Sequence, residues 1–149
     1  MVKLKENIIE IGVIFRGFIL FKHSFEKLDK YKEKSSKKTL RGAFIEAMNK
    51  FAQKCFSKDS NLEYLESGDI LFIFKYASAE PSDSKSKEDI IFYGLVNREK
   101  QKYTEKLVED FLEKAETVLE KFLEKYNGAD FTELDQFQSF KYDAIGHFV

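Results

Sequence analysis

The sequence predicts an α/β protein of the α+β type: one five-stranded, mainly antiparallel sheet with helices on both faces, in the order β-β-α-β-β-β-α-α. Three observations predict it. Short apolar, β-branched and aromatic runs recur five times between Ile8 and Asn97. Two other stretches repeat their apolar residues at three and four, the period of a helix. The strand-like runs are apolar on alternate positions of both kinds. Ile70, Phe72 and Phe74 oppose Leu71 and Ile73, and Ile90, Phe92 and Val96 oppose Ile91, Tyr93 and Leu95. An antiparallel sheet with one wet face would carry polar residues on that side, so both faces must be covered by helices or by a partner.

The first hairpin is read from residues 8–15 and 18–25, joined by Arg16-Gly17, a two-residue connection with a glycine to accept positive φ. Residues 27–38 form a polar linker. From residue 37 to 56 the period becomes helical, with Leu40, Phe44, Ala47, Phe51 and Cys55 on one stripe and Ser36 placed to cap the first turn. Residues 62–67, 70–76 and 89–97 read as three more strands, with Gly68-Asp69 as a tight turn. Residues 77–88, which hold the only proline, read as a long flexible hairpin loop. Residues 104–126 are the strongest helix, ended by the left-handed cap signal Asn127-Gly128. Its apolar stripe spans about 160°, wider than the ~100° one flat contact needs. The last helix would cover the excess, or a second subunit would do so instead; the second alternative predicts a homo- or heterodimer. Asp130 and Glu133 have capping-box spacing, which starts a short final helix over residues 131–141. The pattern does not define residues 142–149.

The 149 residues fit one domain, 1–149, with one core. Composition, at 43% hydrophobic and 34% charged, is that of a globular chain, and sixteen phenylalanines supply much of the core volume. A net charge of −1 argues against nucleic acid, because phosphate binding needs a basic face. Residues 22–41 depart from this balance, with eight basic against three acidic side chains, a net of +5. That run reads as a solvated loop, or as an electrostatic contact to an anionic membrane or acidic partner. Cys55 is alone, which forbids an internal disulfide and fits a cytoplasmic protein. No leader-like opening and no apolar stretch of ~18–20 residues are found, so membrane contact is at most peripheral.

The hairpin, the helix over residues 39–56, the three-strand meander over 62–97 and the C-terminal helix pair together resemble a longin-like domain of the roadblock/longin superfamily. The hairpin at the start favours the longin over the roadblock arrangement. The resemblance implies a five-stranded antiparallel sheet with one helix on one face and the remaining helices on the other. It also implies a non-catalytic adaptor or regulator that binds a small GTPase, membrane-trafficking machinery or another longin-like or roadblock protein, without a SNARE motif or membrane anchor.

The inventory for chemistry is thin. His23 and His147 sit in no metal-ligand spacing. Cys55 lies on the inner stripe of its helix and reads as a structural thiol. The seven glycines form no phosphate-cradling loop. Arg16, at the hairpin tip, invites comparison with an arginine finger but reads as a turn residue. No enzyme, metal or cofactor is therefore expected. The apolar excess is more informative: Ile45, Ala52 and Phe56 flank the core stripe of the first helix and would lie toward Tyr64 and Leu65 of the third strand. They either widen the core contact or line a groove that takes a partner segment. The alternative function class is a small-molecule sensory domain of PAS or GAF type.

Overall fold

Apolar runs that continue through both side-chain parities must lie inside a sheet, and that is where they are found. The computed structural model describes residues 4–16, 18–25, 63–67, 70–83, 86–97 and 104–149. Five strands, β1 (Ile8–Phe15), β2 (Phe18–Ser24), β3 (Tyr64–Ser67), β4 (Ile70–Ala79) and β5 (Glu88–Asn97), form one open sheet in the order β2-β1-β5-β4-β3. Every pairing is antiparallel. β1 is buried along its whole length, and β5 is buried from Ile90 to Asn97. The edge strands β2 and β3 carry polar residues, among them Lys22, His23, Ser24 and Glu66, as strands open to water on one side should.

The two faces separate as the alternation predicts. Ile11, Val13, Leu71, Ile73, Ile90, Phe92 and Val96 join one core cluster. Ile9, Ile14, Phe74, Ile91, Tyr93 and Leu95 form a second. The first cluster packs against α2 (Thr104–Tyr126) and α3 (Gln138–Gly146), and Leu4 of the single-turn α1 (Leu4–Asn7) joins it. The expected helix over residues 37–56, with Phe51 and Cys55, lies outside the described residues. Among the described residues, no helix is long and apolar enough to cross a membrane.

α2 has the predicted bounds. It buries Leu107, Val108, Phe111, Ala115, Val118, Leu119, Phe122 and Tyr126, and the chain leaves it at Gly128, whose φ is 85°. The excess width of its stripe is used within the chain. Phe122 meets Phe131, Phe137 and Phe140 at centroid distances of 5.9, 5.6 and 5.4 Å. The stripe therefore leaves no argument of its own for a second subunit.

Two expectations are corrected. Residues 77–88 are not one long flexible loop, because β4 continues to Ala79 and β5 starts at Glu88. The connection is fastened to the end of α2: the Gly128 amide donates to the Glu80 carbonyl at 2.6 Å, the Glu80 amide to Asn127 Oδ1 at 2.9 Å, and the Ser82 amide to the Ala129 carbonyl at 2.9 Å. The final helix does not start at 131. Asp130 Oδ1 accepts from the Thr132 amide at 2.9 Å and from its hydroxyl at 2.6 Å, a local turn that replaces the capping box with Glu133. A 3-10 turn over Leu134–Phe137 follows, and α3 starts only at Gln138. Beyond it Phe148 returns to the core against Phe92 and Phe111, at 5.8 and 5.4 Å.

Two glycines allow close approach. A Cβ on Gly94 would overlap the buried ring of Phe111 on α2. Gly12 leaves room for the Tyr93 ring to lie along β1, so that its hydroxyl donates to Glu10 at 2.6 Å. Glu10 is only 2% exposed and also accepts from Ser24 Oγ at 3.0 Å, which offsets the cost of burying a carboxylate.

Candidate functional site

Of the residues expected to line a helix–strand groove, Ile45, Ala52 and Phe56 lie outside the described residues. Tyr64 and Leu65 are both on the edge strand β3, but they face opposite sides of the sheet. Tyr64 pairs with Ile73, a member of the first cluster, while Leu65 pairs with Phe72 and packs on the second. Tyr64 is 36% exposed and Leu65 half-buried.

A different groove is formed at the end of the sheet that carries the first hairpin. Its floor is set by a bulge. The register runs Val13 with Phe21 and then Ile14 with Ile19, so Leu20 is the extra residue of β2. The bulge turns both Leu20 and Phe21 into the first cluster, while Phe18 stays 70% exposed at the start of the strand. The opposite wall is the turn between α2 and α3. Phe131 of that turn packs edge-on against Phe15 at 4.9 Å and its Leu134 is 46% exposed, while Phe140 of α3 packs edge-on against Phe21 at 5.9 Å. Between the walls lies an open cavity of about 670 Å³, lined chiefly by Phe15, Phe18, Phe21, Phe131 and Leu134, with Arg16, Lys22 and Asp83 as its charged residues.

Arg16 is more than a turn residue. It takes a left-handed conformation, φ 52°, and its guanidinium lies 4.8 Å from the centroid of the Phe15 ring. Nη1 and Nη2 donate to both oxygens of Asp83 at 2.9 and 3.3 Å; Nε donates to Glu88 at 2.9 Å, and Nη2 also bonds Glu88. These bonds, Glu88 first and then Asp83, raise the pKa of Arg16, and the guanidinium holds the Asp83 carboxyl below its ordinary range. Asp130 acts on Asp83 in the opposite sense. The hairpin tip is thereby clipped to the β4–β5 connection by a guanidinium committed to two carboxylates.

His23 lies edge-on to Phe25 at 4.7 Å, and His147 Nε2 is 3.5 Å from Lys121 Nζ. Burial, then Lys121 and Lys114, lower the His147 pKa. No group of three or more metal-ligating side chains occurs among the described residues. The arrangement in the groove suits burial of apolar surface; its polar groups fix orientation at the rim. Sequence reasoning missed it because an alternating pattern does not reveal which strand takes an extra residue. The one available signal was Phe18, an aromatic directly after a tight turn. Comparison of the chain with protein-family models, with curated proteins and with solved structures returned no match.

Proposed function

We propose that this chain is a non-catalytic protein-interaction platform of longin-like type, an adaptor or regulator of a small GTPase or of membrane-trafficking machinery, acting in the cytoplasm or peripherally at membranes. The observation that carries the reading is the open apolar groove with Phe18 and Leu134 exposed on its two sides. Apolar patches of this kind mark contact surfaces. The layout supports the family reading: a five-stranded antiparallel sheet, buried on both faces, with the C-terminal helices on one of them. The reading assigns no cofactor and no metal.

Affinity purification from the native host, with the whole chain as bait, tests the proposal. The expected result is recovery of a small GTPase or of another longin-like or roadblock protein as a stoichiometric partner. Recovery of neither, together with tight binding of a metabolite, would replace it with the sensory-domain reading. One observation favours that second reading: a cavity of about 670 Å³ lies within the range of small-molecule sites. Such sites enclose most of their ligand, whereas this groove leaves Phe18 and Leu134 exposed.

A further inference from the structure

We propose that Asn127-Gly128 is a site of spontaneous covalent modification, kept unreactive by the backbone of the β4–β5 connection, and that its conversion to isoaspartate unfastens that connection from the end of α2. This chemistry holds whatever the chain binds.

The reaction needs only the two residues and water. The Gly128 nitrogen attacks Asn127 Cγ. A bond forms between them, the bond from Cγ to Nδ2 breaks, and Nδ2 leaves as ammonia with the proton that Gly128 loses. The product is a cyclic imide. Water then adds to one of its two carbonyl carbons, and the bond from that carbon to the Gly128 nitrogen breaks. Opening at Cγ gives aspartate. Opening at the α-carbonyl gives isoaspartate, whose main chain runs through Cβ and Cγ. Nothing is oxidised or reduced. Glycine in the second position favours attack, because no Cβ crowds the nitrogen. Both residues are exposed, so water reaches them.

Reactivity is then decided by geometry. The nucleophile is held: the Gly128 amide donates to the Glu80 carbonyl at 2.6 Å. The electrophile is held by the same residue, since Asn127 Oδ1 accepts from the Glu80 amide at 2.9 Å. The Asn127 amide donates to the Leu123 carbonyl at 3.0 Å and the Ala129 amide to the Tyr126 carbonyl at 2.8 Å, which restrains the backbone on either side of the bond that must turn. The Glu80 amide polarises the Cγ carbonyl, which on its own would favour attack. Attack, however, turns the Gly128 nitrogen out of its bond to Glu80, so only locally opened molecules react. Pro81 is buried and the Ser82 amide donates to the Ala129 carbonyl at 2.9 Å, so that opening disturbs more than one contact. Once isoaspartate forms, an extra carbon enters the main chain between residues 127 and 128, in the middle of the three bonds that fasten the connection, and Oδ1 passes from side chain to main chain. Asp83 of the same connection is a partner of Arg16, so the loss reaches the clip at the hairpin tip.

The test compares the whole chain folded with the same chain unfolded in urea, both in neutral buffer. Isoaspartate at residue 127 is read by peptide mapping with enzymatic methyl-ester labelling. Conversion in the folded chain is expected to be slower by about tenfold or more; equal rates would overturn the protection. Glu80→Pro removes the amide that holds Oδ1 and is expected to raise the folded-state rate several-fold. Hydrogen exchange at the Gly128 amide of the wild-type chain needs the same opening and is expected to be slow, which tests the mechanism without any variant. Fast exchange at Gly128, or an unchanged conversion rate in folded Glu80→Pro, would overturn it. Chain converted to isoaspartate in urea, refolded and separated by its charge, is expected to lose slow exchange at the Glu80, Ser82 and Gly128 amides. Asn127→Asp, with the same added charge on an ordinary main chain, is expected to keep it. Slow exchange at all three amides of the isoaspartate chain, or its loss in both chains, would contradict the unfastening.

Discussion

Gly94 and Phe111 show how single positions hold the first face together. The missing Cβ is what lets the Phe111 ring of α2 rest on β5, and that ring is itself locked between Phe92 and Phe148. Gly94→Ala is therefore expected to destabilise the fold by about 1–3 kcal/mol, the usual range for overpacking a core. Urea denaturation checks this, and a smaller loss would mean that α2 can slide away. Two ionisable groups give pH dependence of the same sign. The Asp83 carboxyl is held below its ordinary range by Arg16, so its contribution is complete above its unfolded pKa and is lost as acid protonates it in the folded state. His147 is also depressed, by burial and by Lys121, and its contribution is present above about 6.5, its unfolded value, and declines as pH falls below that. Stability measured from pH 8 down should thus show a first decline that His147→Gln removes, and a later one in the acid range that Asp83→Asn removes. A decline unchanged by His147→Gln would assign it to another group.

At the scale of elements, Phe122 is the hub of the helical layer. It meets Tyr126, Phe131, Phe137 and Phe140 and is fully buried. Phe122→Ala should cost about 3–5 kcal/mol, and Phe148→Ala a similar amount, since its buried ring packs on both Phe92 and Phe111. Thermal or urea unfolding of both variants tests whether the last residues of the chain belong to the core. What could be read from the sequence at this scale follows from how local the determining forces are. The bounds of α2 were legible because its stripe and the Asn127-Gly128 cap lie within the helix and its own exit. The two-sided burial of β4 and β5 was legible because alternation records which face each residue takes. The start of α3 was not, because Asp130 satisfies Thr132 instead of a capping box, and spacing alone does not separate the two. The bulge at Leu20 was not, because alternation does not show which strand of a hairpin takes an extra residue, and the clip from Arg16 to Asp83 and Glu88 was not, because it spans separations of 67 and 72 residues. The groove depends on both features, which is why its residues differ from Ile45, Ala52, Phe56, Tyr64 and Leu65.

In the whole molecule, a sheet buried on both faces carries the open apolar groove at one end. Among the described residues, the packing of α2 calls for no second copy, because Phe131, Phe137 and Phe140 cover the excess of its stripe. Sedimentation equilibrium at micromolar concentration is expected to give the 17.5 kDa monomer in the absence of a partner. A dimer whose formation is abolished by Phe18→Ser/Leu134→Ser would instead make a second copy the groove's occupant. The central claim, that the chain works through this surface, is tested most directly by hydrogen exchange on the chain alone and bound to the protein it recovers from its host. Slower exchange confined to Phe18–Ser24 and to residues 131–138 is the predicted result. Protection that leaves both segments unchanged while slowing exchange elsewhere would contradict it.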